Sequence, residues 1–426
     1  MAGSTNHART LDRLASLPWI VAWGLALRVI AAVVVQRVAD HKGTLCIFDD
    51  TRIYWYLADQ LRQGAPYVVD QWGVPHHALR TPGYPLFLAA CQMVFGPKNV
   101  LAVRLTQAAL GALGVWLLAK LVVEIQADHE PKRPGWTAAH VAAAWAATDP
   151  YVITTSSLLL SEALFVPLML AALWGLAALW SGQAGSLAAL GTGLASGAAV
   201  LAKPSWSAFV PALLLAWLAY AGRGKRGAAV RGSALVVLAF TATMAPWWVR
   251  NARIYDGRFV PTALWAGASL YDGLHPGANG GSDMQFLNDP IIRSLDEVTQ
   301  DALLRARALS FVRNQPIQAL HLAVVKAWRF WSPWPNVETL RNPVVALVSA
   351  ALVLPFYAFM LIGLWDRRKD ARALVLLLGP LLGTAALHMI FVGSIRYRIP
   401  VAVPAIGLAA FGILSITRRI QANVIP

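Results

Sequence analysis

Charged side chains are scarce in this chain. Asp, Glu, Lys and Arg make up 13% of its 426 residues, about half the roughly 25% usual in soluble domains. Cysteine is scarcer still. Two residues, Cys46 and Cys91, exclude a disulfide framework and allow one bridge at most; unpaired thiols are the simpler reading. No His/Cys cluster has the spacing of a zinc site, and the neighbours His76 and His77 are poorly disposed to grip one ion. A phosphate-binding P-loop is missing, and so is a nucleotide-binding sheet. The glycine-rich run Gly191–Gly197 lacks dinucleotide spacing and lies inside an apolar stretch, where Gly193 and Gly197 suit close helix packing. The chain shows no internal repeat and no low-complexity linker.

Apolar residues are what the chain has in excess, at 57% against roughly 45–50% in ordinary domains. Hydropathy places membrane-length runs near 18–38, 99–125, 137–151, 153–180, 186–202, 205–221, 233–249, 342–365, 371–392 and 399–417. A run of about 20 apolar residues crosses a hydrocarbon core of roughly 30 Å. The expectation is an all-α polytopic membrane protein, one domain over 1–426, with a bundle of about ten transmembrane helices. The first run begins near Trp19 after a tail carrying Arg9 and Arg13, with no small-residue cleavage site. It reads as a retained helix rather than a removed signal.

The formal charge of +15 does not point to nucleic acid, because no run alternates basic and aromatic residues as a strand-binding groove would. The basic residues sit in short loops instead. With the N-terminus in the cytoplasm, Lys132, Arg133, Arg223, Lys225, Arg226, Arg231, Arg367, Arg368, Lys369, Arg372, Arg418 and Arg419 all fall inside, as the positive-inside bias requires. Two large segments then fall outside, at 39–98 and 250–341. In the second, Ser294-Leu295-Asp296-Glu297 reads as a capping box opening a helix through about Arg313. Pro316 suits the first turn of another helix. That helix carries Ile317, Leu320, Val324, Trp328 and Trp331 on one face. It either lies in the membrane interface or packs on the bundle; the pattern alone allows both.

Ionisable groups near a bilayer are costly and so point to chemistry. Asp49 and Asp50 follow the first span, and Tyr54, Leu57, Ala58 and Leu61 follow at helical spacing. Asp50 therefore reads either as a helix cap or as a reactive carboxylate. Arg80-Thr81-Pro82-Gly83-Tyr84-Pro85 is a stiff turn that holds Arg80 toward an anion or simply turns a membrane corner. Glu162 stands near the outer end of the fourth span, while Asp149 before it reads as solvated. Lys203, Arg250, Arg396 and Arg398, the last two around Tyr397, sit at outer helix ends against the positive-inside bias. Snorkelling explains any one of them; an anionic ligand such as phosphate explains all four together.

These residues in this order resemble the GT-C superfamily of membrane glycosyltransferases, in the branch of the protein O-mannosyltransferases and the aminoarabinose transferases (glycosyltransferase family 39-like). The likeness runs through Asp50-Thr51-Arg52-Ile53-Tyr54, Arg80-Thr81-Pro82-Gly83-Tyr84-Pro85, Leu160-Ser161-Glu162-Ala163-Leu164-Phe165 and Leu201-Ala202-Lys203-Pro204. It continues in Pro246-Trp247-Trp248-Val249-Arg250-Asn251, Phe330-Trp331-Ser332-Pro333 and Arg396-Tyr397-Arg398-Ile399-Pro400. The resemblance implies transfer of a hexose or pentose from a polyprenyl-phosphate donor to an extracytoplasmic glycan, lipid or protein, with inversion. It assigns the essential acid to Asp50, four residues before Tyr54, and a second acidic position to Glu162. It also implies a bacterial plasma membrane location with both termini cytoplasmic. Larger relatives carry a soluble C-terminal domain, whereas here the last apolar run is followed by a short tail.

The expected site therefore comprises Asp50, Asp49 and Glu162 as catalytic carboxylates. Tyr54, Arg80, Tyr84, Lys203, Arg250, Arg396, Tyr397 and Arg398 are expected around the substrates. No cofactor is expected, and one or two carboxylates would hold a divalent ion only weakly. The rival from another class is a transporter or flippase of a lipid-linked glycan. Such a protein built from repeated halves would show paired broken helices, and the sequence shows none.

Overall fold

The computed structural model describes residues 3–44, 48–71, 73–126, 136–336 and 342–424. Cys46, Lys132 and Arg133 lie outside the described residues, as do the side chains of Arg9, Arg13, Asp49 and Arg223. An apolar chain in lipid must satisfy its backbone internally, and this one does so with helices. In order they are α1 (Gly3–His41), α2 (Asp49–Gln63), α3 (Gly83–Phe95), α4 (Val100–Gln126), α5 (Ala138–Thr148), α6 (Pro150–Ser157), α7 (Glu162–Ser181), α8 (Ser186–Ala202), α9 (Phe209–Tyr220) and α10 (Arg226–Ile254). Next come α11 (Ala266–Gly273), α12 (Pro290–Arg293), α13 (Glu297–Asn314) and α14 (Pro316–Trp331). The chain closes with α15 (Pro343–Asp366), α16 (Ala371–Ala373), a π turn leading into α17 (Gly379–Ile390), α18 (Ile395–Ala402) and α19 (Ile406–Val424). One antiparallel hairpin, β1 (Val69–Gln71) with β2 (Val74–His76), pairs Val69 opposite His76.

The protein is a multi-pass membrane protein. Among the described residues, six stretches are long and apolar enough to cross a bilayer: Ser16–His41, α4, α7, α10, α15 and Ala371–Ile390. The pair α18 and α19, bent by 65°, makes a seventh. The shorter apolar helices are α3, α8 and Pro204–Tyr220. The run at 137–151 folds as the 11-residue α5, only about 16 Å long at 1.5 Å per residue.

The run at 153–180 is not one helix. α6 ends at Ser157 and α7 begins at Glu162. Polar groups from neighbouring elements take over the carbonyls at this break: Gln107 donates to Ser156 and Leu158, Arg104 to Ser157, and Thr51 to Leu159. Asp149 is not merely solvated; it caps α6 by accepting from the amides of Tyr151 and Val152. The cap of α13 is Asp296, which accepts from Val298 and Thr299, rather than Ser294. Glu297 does not close a capping box because its carboxylate reaches the hairpin loop instead. It accepts from the amides of His77 and Ala78 and from the Tyr255 hydroxyl, at 2.8, 3.0 and 2.6 Å.

α1, α4, α7, α8 and α10 pack as successive neighbours, and α15 packs along α19. Glycine sets the closest approaches. A Cβ at Gly193 would strike the Val236 carbonyl and one at Gly197 would strike Thr243, so α8 lies directly on α10 as the sequence suggests. A Cβ at Gly363 would strike the Leu408 carbonyl, and one at Gly412 that of Phe359. The bundle has two unlike ends. Lys225 and Arg372 donate to carbonyls at the C-terminal ends of α7 and α4, whereas Asp50 and Glu162 lie where α7 begins.

Candidate active site

Asp50 lies in the first turn of α2, which stops at Gly64, whose φ of 69° allows the left-handed cap that returns its amide to Gln60 and Leu61. Position in the first turn leaves the carboxylate free for partners outside the helix. It meets two guanidinium groups at once: Arg80 Nη2 at 2.9 Å and Arg396 Nη2 at 2.8 Å, one on each oxygen. Burial alone would raise the pKa of this carboxyl, but Arg80 and Arg396 outweigh it and hold it down to about 2. The side chain keeps 28% exposure, so a ligand can reach it.

Arg396 also approaches Glu162, with Nε at 3.5 Å from Oε1. The same oxygen accepts from Lys203 Nζ at 3.0 Å. The five groups form one chain, Arg80–Asp50–Arg396–Glu162–Lys203, with three cations against two carboxylates. Each cation also lies over an aromatic ring: Arg80 over Trp265, Arg396 over Phe48 and Lys203 over Tyr397, at 5.2–5.7 Å. Rings of this kind attract cations. Glu162 is only 3% exposed and stands behind Arg396 rather than at the surface.

Several segments distant in sequence hold this chain. Arg80 leaves a loop pinned by Glu297, by Gln300 bonded to His76 at 3.1 Å, and by Arg250. Gly83 lies so close to Leu201 that a Cβ there would sit 2.6 Å from its carbonyl carbon. That contact ties the Arg80 turn to the end of α8, where Lys203 stands. Tyr84 is fully buried, donates to Gln107 at 2.7 Å and meets Tyr54 edge to face at 5.1 Å. Burial, despite Arg80, pushes the Tyr54 phenol up, so it stays protonated. Tyr397 stacks on His388 with 4.1 Å between ring centres.

Two of the expected phosphate ligands are occupied elsewhere. Arg250 donates to the carbonyls of His77 and Tyr67 and to Asn251, and lies over Trp247 and Tyr67. Arg398, only 4% exposed, donates to the carbonyls of Phe330 and Ser332 and to the Tyr357 hydroxyl. Both are oriented by backbone carbonyls, which a count of charges along the chain does not reveal. Sequence reasoning also passed over Thr51, Arg104 and Gln107, which hold the break before Glu162, and Arg28. Arg28 is wholly buried in α1 and donates to the carbonyls of Gly24, Ala146 and Ala147. The signal for all four was a polar residue inside or beside an apolar run. Among the described residues, no group of three or more metal-ligating side chains occurs.

Residues 77–249 match the family model described as dolichyl-phosphate-mannose-protein mannosyltransferase. The oligosaccharyltransferase AglB of Archaeoglobus fulgidus, solved with an inhibitory peptide and a dolichol-phosphate, superposes over 95% of this chain and 52% of its own, at TM-score 0.54 and 13% identity. The same organism's oligosaccharyltransferase with zinc and sulfate superposes over 94% and 50%, at TM-score 0.55 and 14% identity. The fold is that of the GT-C membrane glycosyltransferases. This chain spans about half the length of the solved GT-C enzymes that carry the comparison. ArnT of Cupriavidus metallidurans bound to undecaprenyl phosphate aligns over 95% of this chain and 78% of its own, at 13% identity and TM-score 0.42. No curated protein gives a significant sequence match.

Proposed function

We propose that this protein transfers a sugar from a polyprenyl-phosphate donor to an acceptor hydroxyl or amine, with inversion, at the outer face of a bacterial plasma membrane. The observation that carries the reading is Asp50 held between Arg80 and Arg396 beside the Glu162–Lys203 pair. Support comes from the matched mannosyltransferase family and from the dolichol-phosphate seen with an enzyme of the same fold. The excess of one positive charge suits a monoanionic phosphodiester. Arg396 and Lys203 are the cations placed to receive its phosphate; Arg250 and Arg398 serve as scaffold.

Paired with Arg80 and Arg396, Asp50 is a weak base, because two cations stabilise its charge. A donor phosphate competes for those cations. As Arg396 turns to the phosphate, Asp50 loses a partner and its basicity rises. It then accepts the proton of the acceptor while the acceptor atom bonds to the anomeric carbon. The bond from that carbon to the phosphate oxygen breaks, and the departing phosphate takes the electron pair. The cations gathered at the phosphate stabilise the charge that grows there. Glu162 holds Lys203 and Arg396 in position for this.

The test uses protein reconstituted in lipid vesicles with a polyprenyl-phosphate sugar, and mass spectrometry of surface glycans and lipids from cells with and without the protein. Asp50→Asn should lower transfer by about 10²–10⁴-fold, the range of general-base help, with membrane insertion unchanged. Retention of most activity would remove Asp50 from this role. Arg398→Ala should lower the unfolding temperature and leave the apparent donor affinity of the folded fraction nearly unchanged. A selective loss of donor affinity would return Arg398 to the phosphate.

A further inference from the structure

α14 is inside out. Its protein-facing side carries Leu322, Lys326 and Phe330, all buried, with Lys326 fully so. Its open side carries Ile317, Leu320, Val324 and Trp328, exposed by 84, 66, 59 and 66%. His321 is the polar residue on that side. Water would penalise such a stripe, and contiguous apolar patches on soluble surfaces mark an interaction. α14 is not among the helices long and apolar enough to cross a bilayer.

The position of α14 identifies what covers the stripe. α14 packs on α17 and α18 at the end of the bundle where Arg396 stands. α17 is part of a membrane span, and its last residue, Ile390, is itself 49% exposed. A few residues beyond α14, Trp334 is 44% exposed, and α15 then opens with Val344, Leu347 and Val348 exposed by 67, 72 and 55%. The stripe is therefore flanked by exposed apolar residues on helices apolar enough to cross a bilayer. Tryptophan favours the boundary between acyl chains and headgroups.

The buried side of α14 has its own task. Lys326 Nζ donates to the Ile390 carbonyl at 2.6 Å, and Arg329 Nε to the Gly393 carbonyl at 3.1 Å. Gly393 lies against the Lys326 backbone so closely that a Cβ would sit 2.7 Å from its Cα. Ser394 then caps α18 by accepting from the Arg396 amide. We propose that α14 is seated in the interfacial layer of the lipid leaflet on the Asp50 side, stripe toward the acyl chains, and that this seating holds the segment from Ile390 to Arg396 in place.

Single cysteines at 317, 320, 324 and 328, and at the exposed control Arg313, would be introduced into a Cys46→Ser/Cys91→Ser background. They would be spin-labelled in lipid nanodiscs and probed by collision with oxygen and with a water-soluble nickel chelate. The four stripe positions should favour oxygen severalfold over the control. Nickel accessibility equal to the control would overturn the proposal, as would disulfide crosslinks between copies through position 320. Hydrogen exchange supplies a second measurement. Ile317→Gln/Leu320→Gln/Val324→Gln should speed amide exchange across 390–396 with exchange in α4 and α7 unchanged; unaltered exchange at 390–396 would overturn the coupling.

Discussion

Arg80 and Arg396 favour the ionised form of Asp50 and, against burial, bring its pKa down from an ordinary 3.8 to about 2. A folded-state value below the unfolded one stabilises the fold above the unfolded value. That contribution fades as pH falls through the folded value. The unfolding temperature of the wild type should therefore exceed that of Asp50→Asn at neutral pH, with the gap closing between about pH 4 and pH 2. Thermal unfolding in detergent across that range checks it; a gap independent of pH would mean that the carboxylate charge is not what Arg80 and Arg396 hold. Sequence alone singled out Asp50, Arg80, Glu162, Lys203 and Arg396, because each is an ionisable group that lipid penalises. It grouped Arg250 and Arg398 with them for the same reason. What it lacked was direction, and both of these point at backbone carbonyls.

Among the elements, the break between α6 and α7 matters most. Hydropathy reads 153–180 as one span because Leu158, Leu159 and Leu160 are apolar whether helical or not. The break comes from partners remote in sequence, chiefly Gln107, which donates to the carbonyls of Ser156 and Leu158 at 3.2 and 2.7 Å. Gln107→Leu would leave buried carbonyls unpaired at about 1–3 kcal/mol each. The variant should unfold at lower temperature and bind donor more weakly, because Glu162 and the Lys203 it holds would shift. Unchanged donor affinity in the folded variant would show that the break does not position Glu162. The glycine contacts of α8, by contrast, were readable, since small residues four apart in an apolar helix point to close packing. The capping of α13 was half readable: the helix starts where expected, but Glu297 serves the His77 loop.

For the molecule as a whole, the unlike ends of the bundle set an orientation. On the positive-inside bias we propose that Lys225 and Arg372 face the cytoplasm and that the Asp50 end faces outside. A membrane-impermeant thiol reagent applied to intact cells should label Asp70→Cys and spare Lys225→Cys until the cells are opened. The reverse pattern would invert the topology and remove the extracytoplasmic donor.

The tight crossing of α15 on α19 bears on motion. Gly363 and Gly412 bring these two backbones together where no side chain intervenes, so the long arm beyond the 65° bend is locked to its neighbour. The short arm is α18, and Arg396 rides in its first turn. Any swing that accompanies substrate entry is thereby confined to eight residues pivoting on a fixed post, and it moves the one guanidinium that both carboxylates share.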